Sequence, residues 1–405
     1  MSRILGAAGR TLRRVRSSEF LGGGEWRRGG AAGTWPAGGP DQWLVGSAGL
    51  LVVIGLVMVY SITAATAGRS TAFLENHGIK VVLGIAAFAA AYRMDYHLWV
   101  RRAPLFYLLG LAGLLLVFVP GLSHEVSGAR RWIRIGSQTI QPVDFARLGL
   151  IVYLAFLLSK PRAKLERFGS GLMPCLIALG LIVLPLLLQP NLSSAVAMTV
   201  IAGLLLVAGR IPWRHLIVVT APVLVALPVL GRGYQSSRVE NWIAYWLHGD
   251  ALLEGNYQLN QSIIAIGSGG LVGQGIGGSR QKWSFLPDAH TDFIFAILGE
   301  ELGFLGALVV LALVGVLLWR AFEAARRAPD RSGSLLASGI GISVAVYATI
   351  NVSVATGLFP TTGLPLPLVS YGGTAVLVTL FSLGILANIA SQGARASGDA
   401  GERSP

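Results

Sequence analysis

The chain has 405 residues, 53% of them hydrophobic and only 13% charged, against roughly 25% charged for a soluble domain. Its single cysteine, Cys175, excludes an intramolecular disulfide, and its scattered histidines lack the spacing of a zinc site. The net charge of +13 does not point to nucleic acid, because the cations collect in one terminal segment and in short loops between apolar runs.

Those apolar runs are continuous rather than alternating, so the expected fold is all-α and polytopic, not an outer-membrane barrel. Residues 1–40 carry Arg3, Arg10, Arg13, Arg14, Arg16, Arg27 and Arg28 among many glycines. The expectation there is a disordered basic cytoplasmic tail that meets anionic lipid. Ten spans follow in a membrane domain of residues 41–392, at about 43–64, 78–94, 103–120, 144–159, 172–188, 193–209, 213–231, 291–319, 333–357 and 371–390. Residues 393–405 are expected to form a second disordered tail. The cations of the N-terminal tail, the 95–102 turn, the 160–170 loop, Arg210 with Arg214, and the 320–332 loop all fall on one side. The positive-inside rule makes that side cytoplasmic, together with both termini.

Two outer segments break this rule. Loop 121–142 contains GARRWIRIG, with Arg130, Arg131 and Arg134, and the longest loop, 232–290, carries Arg232, Arg238, Arg280 and Lys282. Cations kept outside against the bias point either to an anionic ligand or to pairing with Glu125, Asp250 and lipid headgroups.

Polar groups within or beside the spans are the functional candidates, because ionisable residues at membrane depth are costly. Gln141-Pro142-Val143-Asp144-Phe145-Ala146-Arg147 opens the fourth span. Proline suits a helix start, and Asp144 and Arg147 share a face as either a plain ion pair or a cavity-lining one. The turns Gln189-Pro190-Asn191 and Gly363-Leu364-Pro365-Leu366-Pro367 close outer hairpins. The glycine-rich run 267–278 lacks the strand–helix frame of a nucleotide loop and reads as close backbone approach in a re-entrant segment. The run FLPDAHTDFIFAILGEELG, from Phe285 to Gly303, puts Asp292 at the mouth of an apolar stretch and Glu300 with Glu301 inside it. In a helix begun at Thr291, Glu300 lies roughly 12 Å deeper than Asp292. Asp292 is either a helix-terminal partner of the exposed amides or a catalytic carboxylate; the two glutamates are expected to make structural pairs.

With these residues in view, the chain resembles the SEDS family, the FtsW, RodA and SpoVE proteins of bacterial cell-wall synthesis. The likeness runs from about Asp41 to Ser391. Its anchors are VMVYS at 57–61, GARRWI at 128–133, QPVDFAR at 141–147, QPNLSSA at 189–195, YQLNQSIIAIGSGGLVGQGIG at 257–277, KWSFLPDAHTDFIFAILGEELG at 282–303 and TTGLPLPLVSYGGT at 361–374. The arginine-rich extension and the wording of the last motif lean towards the FtsW branch, with the elongation and sporulation branches as alternatives.

The resemblance implies a ten-helix glycosyltransferase that joins lipid II disaccharides outside the cytoplasmic membrane, with Asp292 as its essential acid. A substrate-binding set would comprise Asp144, Arg147, Arg130, Arg131, Arg134, Arg238, Lys282 and Ser370, with the cations meeting a lipid pyrophosphate. A divalent cation, Mg or Mn, is possible, in which case Asp292 positions a metal or the acceptor hydroxyl instead of acting as base. Implied partners are lipid II, undecaprenyl-pyrophosphate-linked glycan, a class B penicillin-binding transpeptidase and membrane proteins of the divisome or elongasome, at the septum for the FtsW branch. The sequence departs from the family pattern at Val143, Asp144 and Arg147, where Ser-Glu and then Lys are usual, and in Asn191, Ser193 and Ser194 of QPNLSSA. A lipid flippase and a non-catalytic scaffold are the rival functions. The first would want polar groups along a whole transit path, and the second is at odds with an intact TDFIF.

Overall fold

The computed structural model describes residues 39–64, 70–126, 129–136, 138–161, 167–212, 234–248, 256–283 and 285–402. The arginine-rich stretch of the expected tail and the span expected at 213–231 lie outside the described residues. The protein is mostly helical: α1 (Gln42–Ala64), α2 (Ser70–Arg93), a short α3 (Tyr96–Arg101), α4 (Ala103–Leu116), α5 (Pro142–Leu158), α6 (Met173–Leu188), α7 (Leu192–Ala208), α8 (Tyr234–His248), α9 (Tyr257–Gly269), α10 (Ile294–Arg327), α11 (Arg331–Ala355) and α12 (Gly373–Glu402). Among the described residues, five helical segments are long and apolar enough to cross a membrane: α1, Phe168–Leu188, α10, α11 and Gly373–Ala396; α4 and α7 are shorter apolar helices. Small residues let these helices approach closely, as in other membrane bundles. Gly110 of α4 backs onto Ala146 of α5, and Gly384 of α12 onto the Phe88 backbone of α2.

The expectation of an all-helical fold needs one correction. The cationic loop 121–142 folds as a three-stranded antiparallel sheet, β1 (Ser123–Val126), β2 (Ala129–Ile135) and β3 (Gln138–Ile140). Its register pairs Ser123 with Ile133 and Ile133 with Ile140. The β-branched and aromatic residues Trp132, Ile133 and Ile135 of β2 suit a pleated surface, and Gly136 at φ +62° turns the chain towards β3. A second correction concerns the C-terminal segment. The expected tail at 393–405 is helical as far as Glu402, because alanines favour the helix and no proline interrupts it before Pro405. Gly393 also packs on the Arg327 carbonyl, tying this extension to the end of α10.

The third difference is a break in a helix expected to be continuous. α10 is interrupted at Gly303, whose φ of 70° and ψ of −168° are non-helical. A break at that depth frees backbone groups that must find partners. The glycine-rich segment supplies them: the amides of Gln274 and Gly275 donate to the Glu300 and Glu301 carbonyls, at 3.0 Å each. In return Phe304 and Leu305 donate to the Gly270 and Leu271 carbonyls, at 2.9 and 3.1 Å. A Cβ on Gly273 would stand 2.2 Å from the Glu301 carbonyl oxygen, so only glycine admits this contact.

The loops expected on one side of the membrane meet one another. His97 bridges Asp95, at 2.7 Å, and Asp330, at 3.0 Å. Arg320 pairs with Asp41, Arg331 donates to the Gly209 carbonyl, and Gln392 reaches Asp95. At the opposite end the sheet, the Gln189–Asn191 turn, the turn before α10 and the 357–371 segment come together around Asp292.

Candidate active site

Asp292 lies in the turn that precedes α10, not on the first helical turn at which the sequence places it. The amides of Thr291 and Asp292 both donate to the Asp288 carbonyl, at 3.1 and 3.0 Å, which coils the turn upon itself. The 364–371 segment then stitches it down. Ser370 Oγ donates to the Thr291 carbonyl at 2.6 Å, and the Tyr371 amide donates to the His290 carbonyl at 2.9 Å. Asn351, buried in α11, donates through Nδ2 to the carbonyls of Asp292, at 2.9 Å, and Leu364, at 2.8 Å. Both backbone segments that frame the carboxylate therefore hang from one amide side chain. Gly363 closes one wall, and a Cβ there would come within 3.3 Å of Asp292 Oδ2.

The carboxylate so held is half-buried. Burial first, and then the nearby Asp288 charge, push its pKa up to about 7, against the opposing hydrogen bond of Thr291 and the charges of Arg238 and Arg131. The helix-end effect expected to acidify Asp292 is outweighed here, because the residue precedes the helix and sits in a protein wall. A carboxylate poised near neutrality can exchange a proton with a substrate hydroxyl.

Two of the expected outer cations stand where their charge reaches Asp292. Arg131, on β2, donates through Nε to the Gln189 carbonyl at 3.5 Å and through its terminal nitrogen to the Pro190 carbonyl, bracing the 189–191 turn. Arg238, on α8, donates to the Thr361 carbonyl at 3.2 Å. Arg134 is exposed and donates to the Gly136 carbonyl, while the Arg130 side chain lies outside the described residues.

Two residues expected to bind substrate are engaged elsewhere, which corrects their assignment. Lys282 is buried, its Nζ 3.1 Å from Glu301 Oε1, 3.1 Å from Ser61 Oγ and 2.7 Å from the Gly277 carbonyl. Loop position fixes the side of the membrane but not the depth, and two unpartnered charges at this depth would be far costlier than a pair. Ser370 is also buried and uses its hydroxyl on backbone, accepting from the Leu366 amide while donating to Thr291. It positions the turn that carries Asp292.

Both intramembrane glutamates have partners. Glu300 accepts from Ser279 Oγ and from the amides of Arg280, at 3.0 Å, and Gln281, at 3.4 Å. Glu301 accepts from Ser61 Oγ of α1 at 2.6 and 2.9 Å. Asp144 and Arg147 meet at 3.4 Å, both buried, with the guanidinium 4.2 Å from the Tyr347 ring centroid. Arg147 borders a cavity of about 10 Å³ shared with Ser343, Thr379 and Ser382, about the space one water needs. The intrahelical pair thus stands in the bundle wall. A double-mutant cycle on Asp144→Asn and Arg147→Met, read as thermal stability of the purified protein, is expected to give a coupling of about 0.5–3 kcal/mol. Simple additivity would dissolve the pair.

Comparison with known proteins places this geometry. The family described as cell cycle proteins, comprising FtsW, RodA and SpoVE, matches residues 41–395. The chain belongs to the FtsW/RodA/SpoVE family. It is 39% identical over 349 residues to a probable peptidoglycan glycosyltransferase FtsW of Geobacter metallireducens, covering 84% of this chain and 92% of that one. It is 37% identical over 357 residues to the stage V sporulation protein E of Bacillus subtilis, covering 86% and 96%. Among solved structures, a chain from work on the structural coordination of polymerization and crosslinking by a peptidoglycan synthase complex superposes with a TM-score of 0.71 at 28% identity, covering 87% of this chain and 98% of that one. The rod-shape-determining protein RodA of Thermus thermophilus gives a TM-score of 0.64 at 29% identity, covering 87% and 96%.

As a member of this family, the protein shows functional contacts that reading the sequence did not isolate. Asn351 was one polar residue in an apolar run, and that interruption was its only signal. Asp288 drew no notice beside Asp292, although it sets part of that group's electrostatics. Ser61 lay inside a quoted motif without a role. Among the described residues no cluster of three or more histidine, cysteine, aspartate or glutamate side chains is built to hold a metal by itself.

Proposed function

We propose that this member of the FtsW/RodA/SpoVE family is a peptidoglycan glycosyltransferase that polymerises lipid II at the outer face of the cytoplasmic membrane. The observation that carries the reading is Asp292, held near neutrality within reach of the Arg131 and Arg238 charges. In the reaction, Asp292 takes the proton from the acceptor sugar hydroxyl as its oxygen attacks the anomeric carbon of the lipid-linked glycan. The bond from that carbon to the pyrophosphate breaks, and its electron pair leaves with the phosphate. A general base of this kind contributes roughly 10²–10⁴-fold. Arg131 and Arg238 offset the charge developing on the leaving group, with Arg130 and Arg134 supplying further donors from the same strand.

Asp292 and Asp288 together fit a hard divalent cation, Mg or Mn, since such ions take one or two carboxylates along with substrate phosphate oxygens. The mutual repulsion that raises the Asp292 pKa is what a cation there would relieve. When bound, it would neutralise part of the pyrophosphate charge.

Ten spans with both termini cytoplasmic put the Asp292 turn outside, where the lipid-linked substrate is presented. The likeness to FtsW-named relatives supports the division branch and a septal location. The likeness to a chain of a peptidoglycan synthase complex supports a class B penicillin-binding transpeptidase as partner. The test is polymerisation of lipid II by the purified protein. Glycan strands are expected from the wild type. Replacing Arg130, Arg131 and Arg134 together by Gln should slow synthesis about ten-fold or more, the loss of charge-assisted contacts to one anion. Deleting residues 2–35 should leave it nearly unchanged. A silent triple substitution beside a tail deletion that abolishes synthesis would reverse the assignment of the cations.

A further inference from the structure

α8 is an amphipathic helix with the two halves of its outward character separated along its axis. Arg238 stands near its start, reaching the Thr361 carbonyl and bringing positive charge to Asp292. Trp242 and Trp246 follow at intervals of four, on the same face and roughly 6 and 12 Å further along. Both indole nitrogens donate to one acceptor, the Gly357 carbonyl, at 2.9 and 3.0 Å, which pins the helix onto the 357–361 segment. Between helix and segment runs an open apolar groove of about 400 Å³, lined by Trp242, Ile243, Trp246, Leu247 and Leu358. Leu247 and Leu358 are 71% and 63% exposed.

On the glycosyltransferase reading above, we infer that this groove seats the first part of the polyprenyl chain of the glycan donor, the substrate whose pyrophosphate leaves. The order of chemistry matches that amphiphile: Arg238 at the start of α8 brings its charge to Asp292, and the apolar groove follows further along the same helix. Both substrates carry a pyrophosphate, and distance selects the donor: its pyrophosphate is bonded to the carbon attacked beside Asp292, within reach of the Arg238 charge, whereas the acceptor's lies a disaccharide away from its reacting hydroxyl. Two tryptophans tied to one carbonyl make a fixed wall, which a chain held beside a reacting centre requires and a bilayer acyl chain does not. The groove thus gives the helix a substrate to hold as well as a membrane to lie on.

The experiment separates donor from acceptor by chain length. A lipid II analogue with its acceptor hydroxyl blocked serves only as donor, and unblocked lipid II serves as acceptor. In one arm the donor carries an undecaprenyl chain and the acceptor a dimethylallyl chain, a single isoprene unit that cannot fill the groove; in the other the chains are exchanged. The blocked product is read by mass. Wild-type protein should show a KM for the undecaprenyl donor about ten-fold below that for the dimethylallyl donor, the worth of roughly two buried methylenes. The variants Ile243→Asn and Leu247→Gln should erase that difference by raising the KM of the long donor, with little change in kcat. An effect confined to the long acceptor, an equal effect in both arms, or no effect would overturn the inference. No product from wild-type protein in either arm would remove the glycosyltransferase reading itself, and the groove assignment with it.

Discussion

Replacing Asp292 by Asn is expected to abolish glycan polymerisation while the protein stays folded in the membrane. Asparagine keeps the shape of the side chain and can occupy the space beside Gly363, but it cannot accept a proton from the sugar hydroxyl. The loss should approach the roughly 10²–10⁴-fold that a positioned base supplies. The wild type carries its own control. With the carboxylate titrating at about 7, the active, ionised form is lost as pH falls through that value, so kcat/KM should decline towards acid and level off towards alkali. Strand length and rate on lipid II, followed across pH for both proteins, give the measurement. Near-normal synthesis by a well-folded Asn variant, or a flat profile between pH values either side of neutrality, would end the claim that Asp292 is the base.

Lys282→Met should be the most destabilising single change in the bundle. It leaves Glu301 fully buried with the Ser61 hydroxyl still donating to it but no cation beside it. Breaking one side of a buried pair costs about 3–5 kcal/mol, chiefly through the charge left behind. Adding Glu301→Gln should recover much of that loss, because an amide can still accept from Ser61 and carries no charge. Thermal unfolding of the three proteins in detergent decides it. If the double variant is worse than Lys282→Met alone, the pair is not what holds the segment.

Much of the fold was legible because a spanning helix needs only length and apolarity, and both are written locally. The ends of the spans were harder. Asp292 reads as a first-turn residue, yet the helix starts at Ile294 because the preceding turn is held from outside, by Asn351 and Ser370. The glycine run was readable as a place of close backbone approach, but its partner was not. Pairing with the freed carbonyls of Glu300 and Glu301 depends on a helix break that Gly303 alone hardly announces. The sheet at 123–140 is hard to read because its strands are short and the adjacent Arg130 and Arg131 break the alternation of β2. Lys282 and Ser370 look like ligands in the sequence because charge bias tells inside from outside and nothing about which polar atoms a backbone will claim. The carboxylate itself was legible through the family motif, while its electrostatic setting came from residues far apart in the chain.

The broken helix also fixes an order of assembly. A segment carrying Glu300 and Glu301 is a poor candidate for insertion alone, since a lone ionised side chain at a helix centre costs roughly 2.5–3.5 kcal/mol even by the mildest scales. Its rescuers, Ser279, Lys282 and the amides of 274–281, lie immediately upstream, so they leave the ribosome before α10 does. Ser61, at the far end of α1, is already in place. The nascent α10 therefore enters the bilayer against a waiting polar cradle, and the Asp292 turn that precedes it is drawn into register by the same docking. Insertion and the placing of Asp292 share one seam in this protein: a chain that cannot close the Gly273–Gly303 contact cannot keep α10 at its depth, and so cannot present that carboxylate.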